Sequence, residues 1–242
     1  MEWADDGIVL GARRHGEAAA IVTLLTREHG RHAGLARGGA GRRGRGLYQP
    51  GNQVSAQWRA RLSEHLGTLS CELLDARAAR LIDDPLRLAA LSAMCAVVEA
   101  ALPERHPYPD LYRETVRLLD HLEHDPAWAA AFVRWELGLL AELGFGLDLT
   151  ACAATGETEE LAFVSPRSGR AVSREAGAPY IDKLLPLPAF ITDTAAGPPA
   201  DADIAAGLRL AGWFLANHLL GERGGALPPA RERFAIRWNS AK

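Results

Sequence analysis

The strongest constraint on the fold is a change of hydrophobic period near residue 80. Before it, apolar residues alternate with polar ones, and the clearest run sets Val54, Ala56, Trp58, Ala60 and Leu62 against Ser55, Gln57, Arg59, Arg61 and Ser63. A period of two is that of a half-buried strand, here with two arginines on its wet face. Residues 7–14, 19–26, 31–37 and 68–74 read as strands as well. Five short strands parted by glycine-rich, charged turns in about 75 residues predict a small closed or nearly closed barrel.

From Asp83 the period is helical. Asp84-Pro85 opens a helix that runs to Leu102, because Asp caps the first turn and Pro fits its first position. His106-Pro107-Tyr108-Pro109 breaks that helix, and residues 110–124 form a second. Asp125-Pro126 repeats the start signal, after which Trp128, Phe132, Trp135, Leu139 and Leu143 recur at helical spacing until Gly144 stops the run. A last helix is expected over 201–220. Between these helices, residues 147–178 are rich in Thr, Ser and Gly around a strand-like piece at 161–165, the pattern of an inserted hairpin. The expected architecture is α+β and multi-domain: a five-stranded barrel over 1–80, then a helical domain over 81–242 with the hairpin region 147–178 inside it.

A chain of 242 residues makes one large domain or two small ones. With 48% hydrophobic and 24% charged residues it is not a disordered, collagen-like or disulfide-scaffold protein. The longest nearly uncharged run, residues 88–102, contains Glu99 and is too short to cross a bilayer. Met1-Glu2-Trp3-Ala4-Asp5-Asp6 lacks the basic start and apolar stretch of a signal peptide, so a cytoplasmic location is expected. Cys71, Cys95 and Cys152 are odd in number and too far apart for a metal-ligand doublet, as in reduced thiols; Cys71 and Cys95 read as small core residues.

The formal net charge of −3 hides a split. Residues 1–80 carry a net +4 and residues 81–242 a net −7. Between Arg27 and Arg61, eight arginines face one acid, Glu28. Arginine meets phosphate through a planar fork of donors and also stacks on bases, so this stretch suits a polyanion, although a charge run by itself also describes a solvated face.

Gly39-Ala40-Gly41-Arg42-Arg43-Gly44 fits G-x-G-x-x-G, but a dinucleotide site needs a helix starting there, and Leu47-Tyr48-Gln49-Pro50-Gly51 is turn chemistry. Two readings remain: a flexible surface loop, or a loop whose Arg42, Arg43 and Arg45 clamp a phosphate backbone while Tyr48 stacks on a base. There is no G-x-x-x-x-G-K-[ST], G-x-S-x-G or H-E-x-x-H. The pairs His29/His32 and His121/His124 have no persuasive third ligand, and Asp5/Asp6 and Asp83/Asp84 are explained by turns and caps. No catalytic residue and no cofactor is expected. The aromatic stripe of the third helix is core, and Arg134 beside it either covers that stripe with its stem or receives an acidic peptide ending in bulky residues.

Taken in order, Gly7-Ile8-Val9-Leu10, Gly16-Glu17, Ile21 through Gly30, Ala36-Arg37-Gly38-Gly39, Leu47-Tyr48-Gln49-Pro50 and Arg134-Trp135-Glu136-Leu137 through Leu143-Gly144-Phe145 resemble the RecO family of bacterial recombination mediators, over nearly the whole chain. The resemblance implies an N-terminal OB-fold, a helical C-terminal domain and, usually, a four-cysteine zinc module within it. Here Cys152 stands at the first ligand position, while Thr155, Val172 and Glu175 take the others, so the hairpin is expected to hold no metal. The resemblance further implies a non-enzymatic protein that binds single- and double-stranded DNA and anneals strands coated with single-strand-binding protein. With RecR it would help load RecA, in the cytoplasm at the nucleoid. Arg37, Arg42, Arg43, Arg45, Tyr48, Arg59 and Arg61 are then the candidate DNA contacts. Arg134 matches a position linked to the acidic tail of single-strand-binding protein. The alternatives are a metal-dependent nuclease using the acidic C-terminal half and a protein-only adaptor.

Overall fold

Alternation predicts where strands lie but not how they join. In the computed structural model, which describes residues 1–193, 197–221 and 224–240, five strands close into a barrel. They are β1 (Glu2–His15), β2 (Ala19–Thr26), β3 (Gly30–Ala36), β4 (Gln53–Arg59) and β5 (Thr68–Asp75). Strand β1 pairs with β4 through its first half and with β2 beyond it, the register shifting between Val9 and Gly11. That irregularity lets one strand serve two neighbours, and the barrel closes in the order β1-β2-β3-β5-β4, the OB-fold expected above. Val9, Val22, Leu24, Val54, Ala56 and Trp58 fill its interior. Strand β4 stops at Arg59, short of the predicted run, so Leu62 is 44% exposed and Arg61 lies in the β4–β5 connection.

Helix α1 (Arg42–Leu47) sits between β3 and β4, and α2 (Arg77–Arg80) follows β5. Asp84 caps α3 (Pro85–Ala101) as its sequence predicts, its Oδ1 accepting from the Leu86 and Arg87 amides at 3.0 Å each. Helix α3 lies on the barrel, the Cys95 thiol donating to the Val9 carbonyl at 3.6 Å. The chain beyond it is tied to β3: Arg31 Nε donates to the Leu102 carbonyl at 2.9 Å, and the Arg105 amide to the Arg31 carbonyl at 2.8 Å. Gly30 has φ +64° and lies so close that a Cβ there would strike the His106 backbone. Helix α4 is Pro109–His124. The change of period therefore marks where strands give way to helices, whereas compactness divides the chain differently: Met1–Glu123 with Pro228–Phe234, and His124–Leu227 with Ala235–Lys242.

The second unit is built on α5 (Trp128–Glu142). After it come β6 (Leu161–Val164), β7 (Ala171–Ser173), α6 (Arg174–Gly177), β8 (Leu185–Pro186), α7 (Ala189–Thr192) and α8 (Asp201–Phe214). Helix α8 continues as a wider π turn, Leu215–Leu219, within the predicted span. Helix α9 (Pro229–Ser240) was not anticipated; in this unit its Trp238 meets Trp128 edge-on at 5.7 Å and donates Nε1–H to the Asp201 carbonyl at 3.2 Å. No helix among the described residues is long and apolar enough to cross a membrane.

The predicted hairpin is a three-stranded sheet ordered β7-β6-β8. The positions that hold zinc in the resembled family do not fit it here. Cys152 is buried, its sulfur accepting the Ser173 amide at 3.2 Å; Val172 is buried; and Thr155 Oγ1 donates to Glu157 at 3.0 Å. One sulfur with a threonine, a valine and a glutamate does not make a tetrahedral site, and among the described residues no group of three His, Cys, Asp or Glu is arranged to hold a metal.

Candidate nucleic-acid interface

The glycine- and arginine-rich segment is not the loop its sequence suggests: Arg42–Leu47 forms one short helix. Two of its six residues are glycine and no side chain caps its start, so propensity does not account for it. Tertiary contacts do. Gly44 is pressed onto the preceding turn, where a Cβ would lie 2.5 Å from the Gly39 carbonyl oxygen. At the far end the buried Asn52 side chain donates to the Gly46 and Leu47 carbonyls at 3.0 and 3.1 Å, satisfying groups that a helix C-terminus leaves open. Its Oδ1 accepts the Ala78 amide at 3.3 Å, so one side chain fixes both α1 and the start of α2. Asn52 is a positioning residue that sequence reasoning missed, since an asparagine beside Pro50-Gly51 reads locally as turn chemistry.

With α1 anchored, its buried face is Gly44, and Arg42, Arg43 and Arg45 are exposed. A cleft of about 1340 Å³ runs between this segment and the β3, β4 and β5 surface. Register explains its walls: Thr68 of β5 is partnered by Leu35 of β3 on one side and Arg59 of β4 on the other. Arg37, Arg43 and Arg59 line the cleft, over a floor that includes Leu69 and Leu73. The structure thus brings together three of the predicted arginines. Arg42 and Arg45 share α1 but lie outside the cleft lining, as does Arg61.

Tyr48 also lines the cleft, but as part of its floor: it is 7% exposed and belongs to the barrel core, against which Cys71 packs. Burial, reinforced by Cys71, holds its phenol above the usual range, and burial pushes the Cys71 thiol up to about 12. This position gives Tyr48 a packing role and no open ring face for a base.

Electrostatically the cleft is arginine-rimmed with two acids, Glu2 and Glu72, in its wall. Arg59 is 3.8 Å from Glu2, with both side chains largely exposed, a pairing worth little in water. Arg37, Arg42, Arg43 and Arg45 form no ion pair among the described residues. The β1–β2 turn reaches the same end of the barrel, because the Ala40 amide donates to the Ala18 carbonyl at 3.1 Å. Just before that turn the end of β1 carries Arg13, which is exposed, and Arg14, whose guanidinium is bound to the Gly16 and Glu17 carbonyls at 3.1 Å each. Arg14 pairs with Ala20 and Ala20 with Ala36, so Arg14 lies two strands over from the residue before Arg37.

Arg134 projects from α5 in the second unit, and its Nε and Nη2 donate to the Phe190 carbonyl at 3.1 and 2.7 Å. The Phe190 ring lies 5.6 Å from the guanidinium, so a cation and an aromatic ring stand side by side.

Residues 1–77 match the family model described as "Recombination protein O N terminal", and residues 82–225 match "Recombination protein O C terminal". The chain belongs to the RecO family. It is 55% identical to DNA repair protein RecO of Rhodospirillum rubrum, over 100% of this chain and 99% of that one. It is 56% identical to DNA repair protein RecO of Rhodospirillum centenum, over 100% and 96% of the two chains. A third RecO relative, from Bradyrhizobium sp. strain ORS 278, is 52% identical over 97% and 94%. The RecO N-terminal match covers the whole arginine-rimmed barrel, and the C-terminal match contains Arg134 and the hairpin module.

Proposed function

We propose that this RecO-family chain is a non-enzymatic mediator of DNA repair and recombination that holds DNA by its phosphates. In this reading it binds single- and double-stranded DNA, anneals complementary strands covered by single-strand-binding protein and, with RecR, promotes RecA loading in the cytoplasm at the nucleoid. Residues 1–80 are its DNA-binding domain and residues 81–242 its helical domain. The observation that carries the proposal is the set of arginines at one end of the barrel, Arg37, Arg42, Arg43 and Arg45, exposed and without a carboxylate partner among the described residues. The names of the curated relatives support the DNA-repair assignment.

Annealing forms and breaks no covalent bond. Its barrier is the repulsion between two phosphate backbones, which guanidinium groups lower while leaving base edges free to pair. Arg37, Arg43 and Arg59 would seat one backbone along the cleft, with Arg42, Arg45 and Arg61 outside it available to a second. Arg134, a cation beside the Phe190 ring, is the proposed contact for the acidic tail of single-strand-binding protein.

The test is a titration of labelled single-stranded DNA at two salt concentrations, followed by the complementary strand coated with single-strand-binding protein. The expected result is sequence-independent binding that weakens with salt, then accelerated duplex formation. Absence of DNA binding at low salt would favour a protein-only adaptor, and Mg²⁺-dependent strand cleavage a nuclease; either overturns the proposal.

A further inference from the structure

Among the described residues two that are not glycine have a positive φ, Arg105 at +61° and Glu160 at +50°. Left-handed backbone is unfavourable for a residue with a Cβ and persists only where the surroundings impose it. At Arg105 they do. Glu104 bridges to Arg31 of β3, the Arg105 amide donates to the Arg31 carbonyl at 2.8 Å, and the His106 backbone lies against Gly30. From a backbone fixed on both sides, the Arg105 side chain reaches the β4–β5 connection, where its guanidinium donates to the Ser63, Glu64 and His65 carbonyls.

The ends of that connection are held without Arg105. The Ala60 amide donates to the Met1 carbonyl at 3.0 Å, and the Gly67 carbonyl accepts the Leu35 amide at 3.0 Å. Between them, residues 61–66 are all exposed. Among the described residues one other hydrogen bond reaches this stretch from outside it, the Trp58 Nε1–H on the Leu66 carbonyl at 2.8 Å. Ordering an exposed segment costs chain entropy and returns little apolar burial, so the stability of the barrel does not account for a strained residue that holds three of its carbonyls. The same stretch carries Arg61, exposed and in no ion pair among the described residues.

We infer that Arg105 is a positioning residue for DNA binding: by fixing the β4–β5 connection it offers Arg61 in one preformed arrangement to a phosphate backbone. The inference rests on the DNA reading above. A loop ordered before DNA arrives loses less freedom on binding, which raises affinity without any added contact. Arginine suits the task, because its planar fork of donors spans several carbonyls, whereas the lysine ammonium is a point charge on a flexible stem. Since those carbonyls already engage the Arg105 guanidinium, it acts through Arg61 and not at the phosphate.

The experiment titrates labelled duplex DNA, which presents two backbones, at several salt concentrations. The proteins are the full chain, Arg61→Ala, Arg43→Ala, Arg105→Ala, Arg105→Lys, and Arg105→Ala joined to each of the other two alanine changes. Arg61→Ala is expected to weaken binding about fivefold at low salt and to reduce the salt slope by about one. Both Arg105 variants should lose about as much. Arg105→Ala should add nothing to Arg61→Ala but its full effect to Arg43→Ala, a distinction that general damage to the barrel would not make. Trypsin cleavage after Arg61, mapped by mass without DNA, should be about tenfold faster in both Arg105 variants. Wild-type affinity in Arg105→Lys, losses that add between Arg105 and Arg61, or unchanged cleavage after Arg61 each overturn the inference. A wild-type chain that binds no DNA would remove the underlying reading, whereas a binding chain whose Arg105 and Arg61 act independently removes this inference alone.

Discussion

Two arginine-rich regions of the first unit have opposite surroundings. At the α2 end, Arg77 is 7% exposed and its guanidinium touches Asp75, Asp120 and Glu123 at 2.7–3.0 Å, while Arg80 bridges Asp75 and Glu123 at 2.5 and 2.7 Å. At the α1 end, Arg37, Arg42, Arg43 and Arg45 are exposed with no carboxylate beside them among the described residues. The same side chain is a structural cross-link in one place and an unspent cation in the other. The number of arginines therefore does not assign a function; their partners do. Arg80 and its two acids illustrate the first state chemically: the hydrogen bonds it donates to Asp75 and Glu123 raise the guanidinium further, and Arg80 in turn holds Asp75 below the usual carboxylate range.

The comparison is broken most directly at Glu123, whose carboxylate is 3% exposed and joins both α2 arginines. Glu123→Ala leaves Arg77 buried with fewer counter-charges and is expected to cost about 3 kcal/mol of stability, read by denaturant unfolding, with DNA affinity of the folded protein unchanged. A cost under about 1 kcal/mol would mean that solvent already screens the network. The complementary change, Arg42→Ala with Arg43→Ala and Arg45→Ala, is expected to leave unfolding unaltered. It should lower single-stranded DNA affinity about thirtyfold at low salt and reduce the salt slope by about three. Unchanged slope would show that α1 does not meet phosphate.

Arg105 is a third case, neither free nor paired with an acid among the described residues: it donates to the Ser63, Glu64 and His65 carbonyls of the β4–β5 connection. Its charge also acts on His32, a residue wedged edge-on between Trp3 and Trp58 with both ring nitrogens unpartnered. Burial first, then Arg105 and His29, bring the His32 imidazole down to about 4. Below about 6.5 the unfolded chain takes up a proton that the folded barrel refuses, so stability is full above that pH and falls as pH drops towards about 4. The expected loss is on the order of 1–2 kcal/mol once solvent screening is allowed for, and His32→Phe should flatten it in a pH series of thermal melts. An unchanged series would place the acid sensitivity elsewhere, with Asp75 the next group to examine.

Much of this architecture was legible in the chain. Strand β2 has the predicted limits, Asp84 caps the helix its sequence marks, and β6 and β7 lie inside the expected insertion at 147–178, because each rests on neighbours within a few residues, whereas the third strand, β8, joins that sheet from outside it. Helix α1 looks like a loop in the sequence because its support comes from Asn52 and from Gly44 against Gly39, not from propensity. Arg61 and Arg59 alternate in sequence as one wet face, yet β4 ends between them, and only Arg59 lines the cleft. A tyrosine among glycines and arginines carries no local sign of burial, and only the packing of the barrel leaves Tyr48 7% exposed.

The sequence by itself determined the period of each segment, the placing of strands ahead of helices and the excess of arginine in the first third, all properties of a local window. Tertiary structure alone decided which arginines are neutralised. Arg77 meets Glu123 across 46 residues of chain, and Arg37 stands beside Arg59 only because β3 and β4 both flank β5. Whether a charge is spent within the fold or left for a phosphate depends on what register and packing bring to within about 4 Å of it, and no stretch of neighbouring residues contains that information.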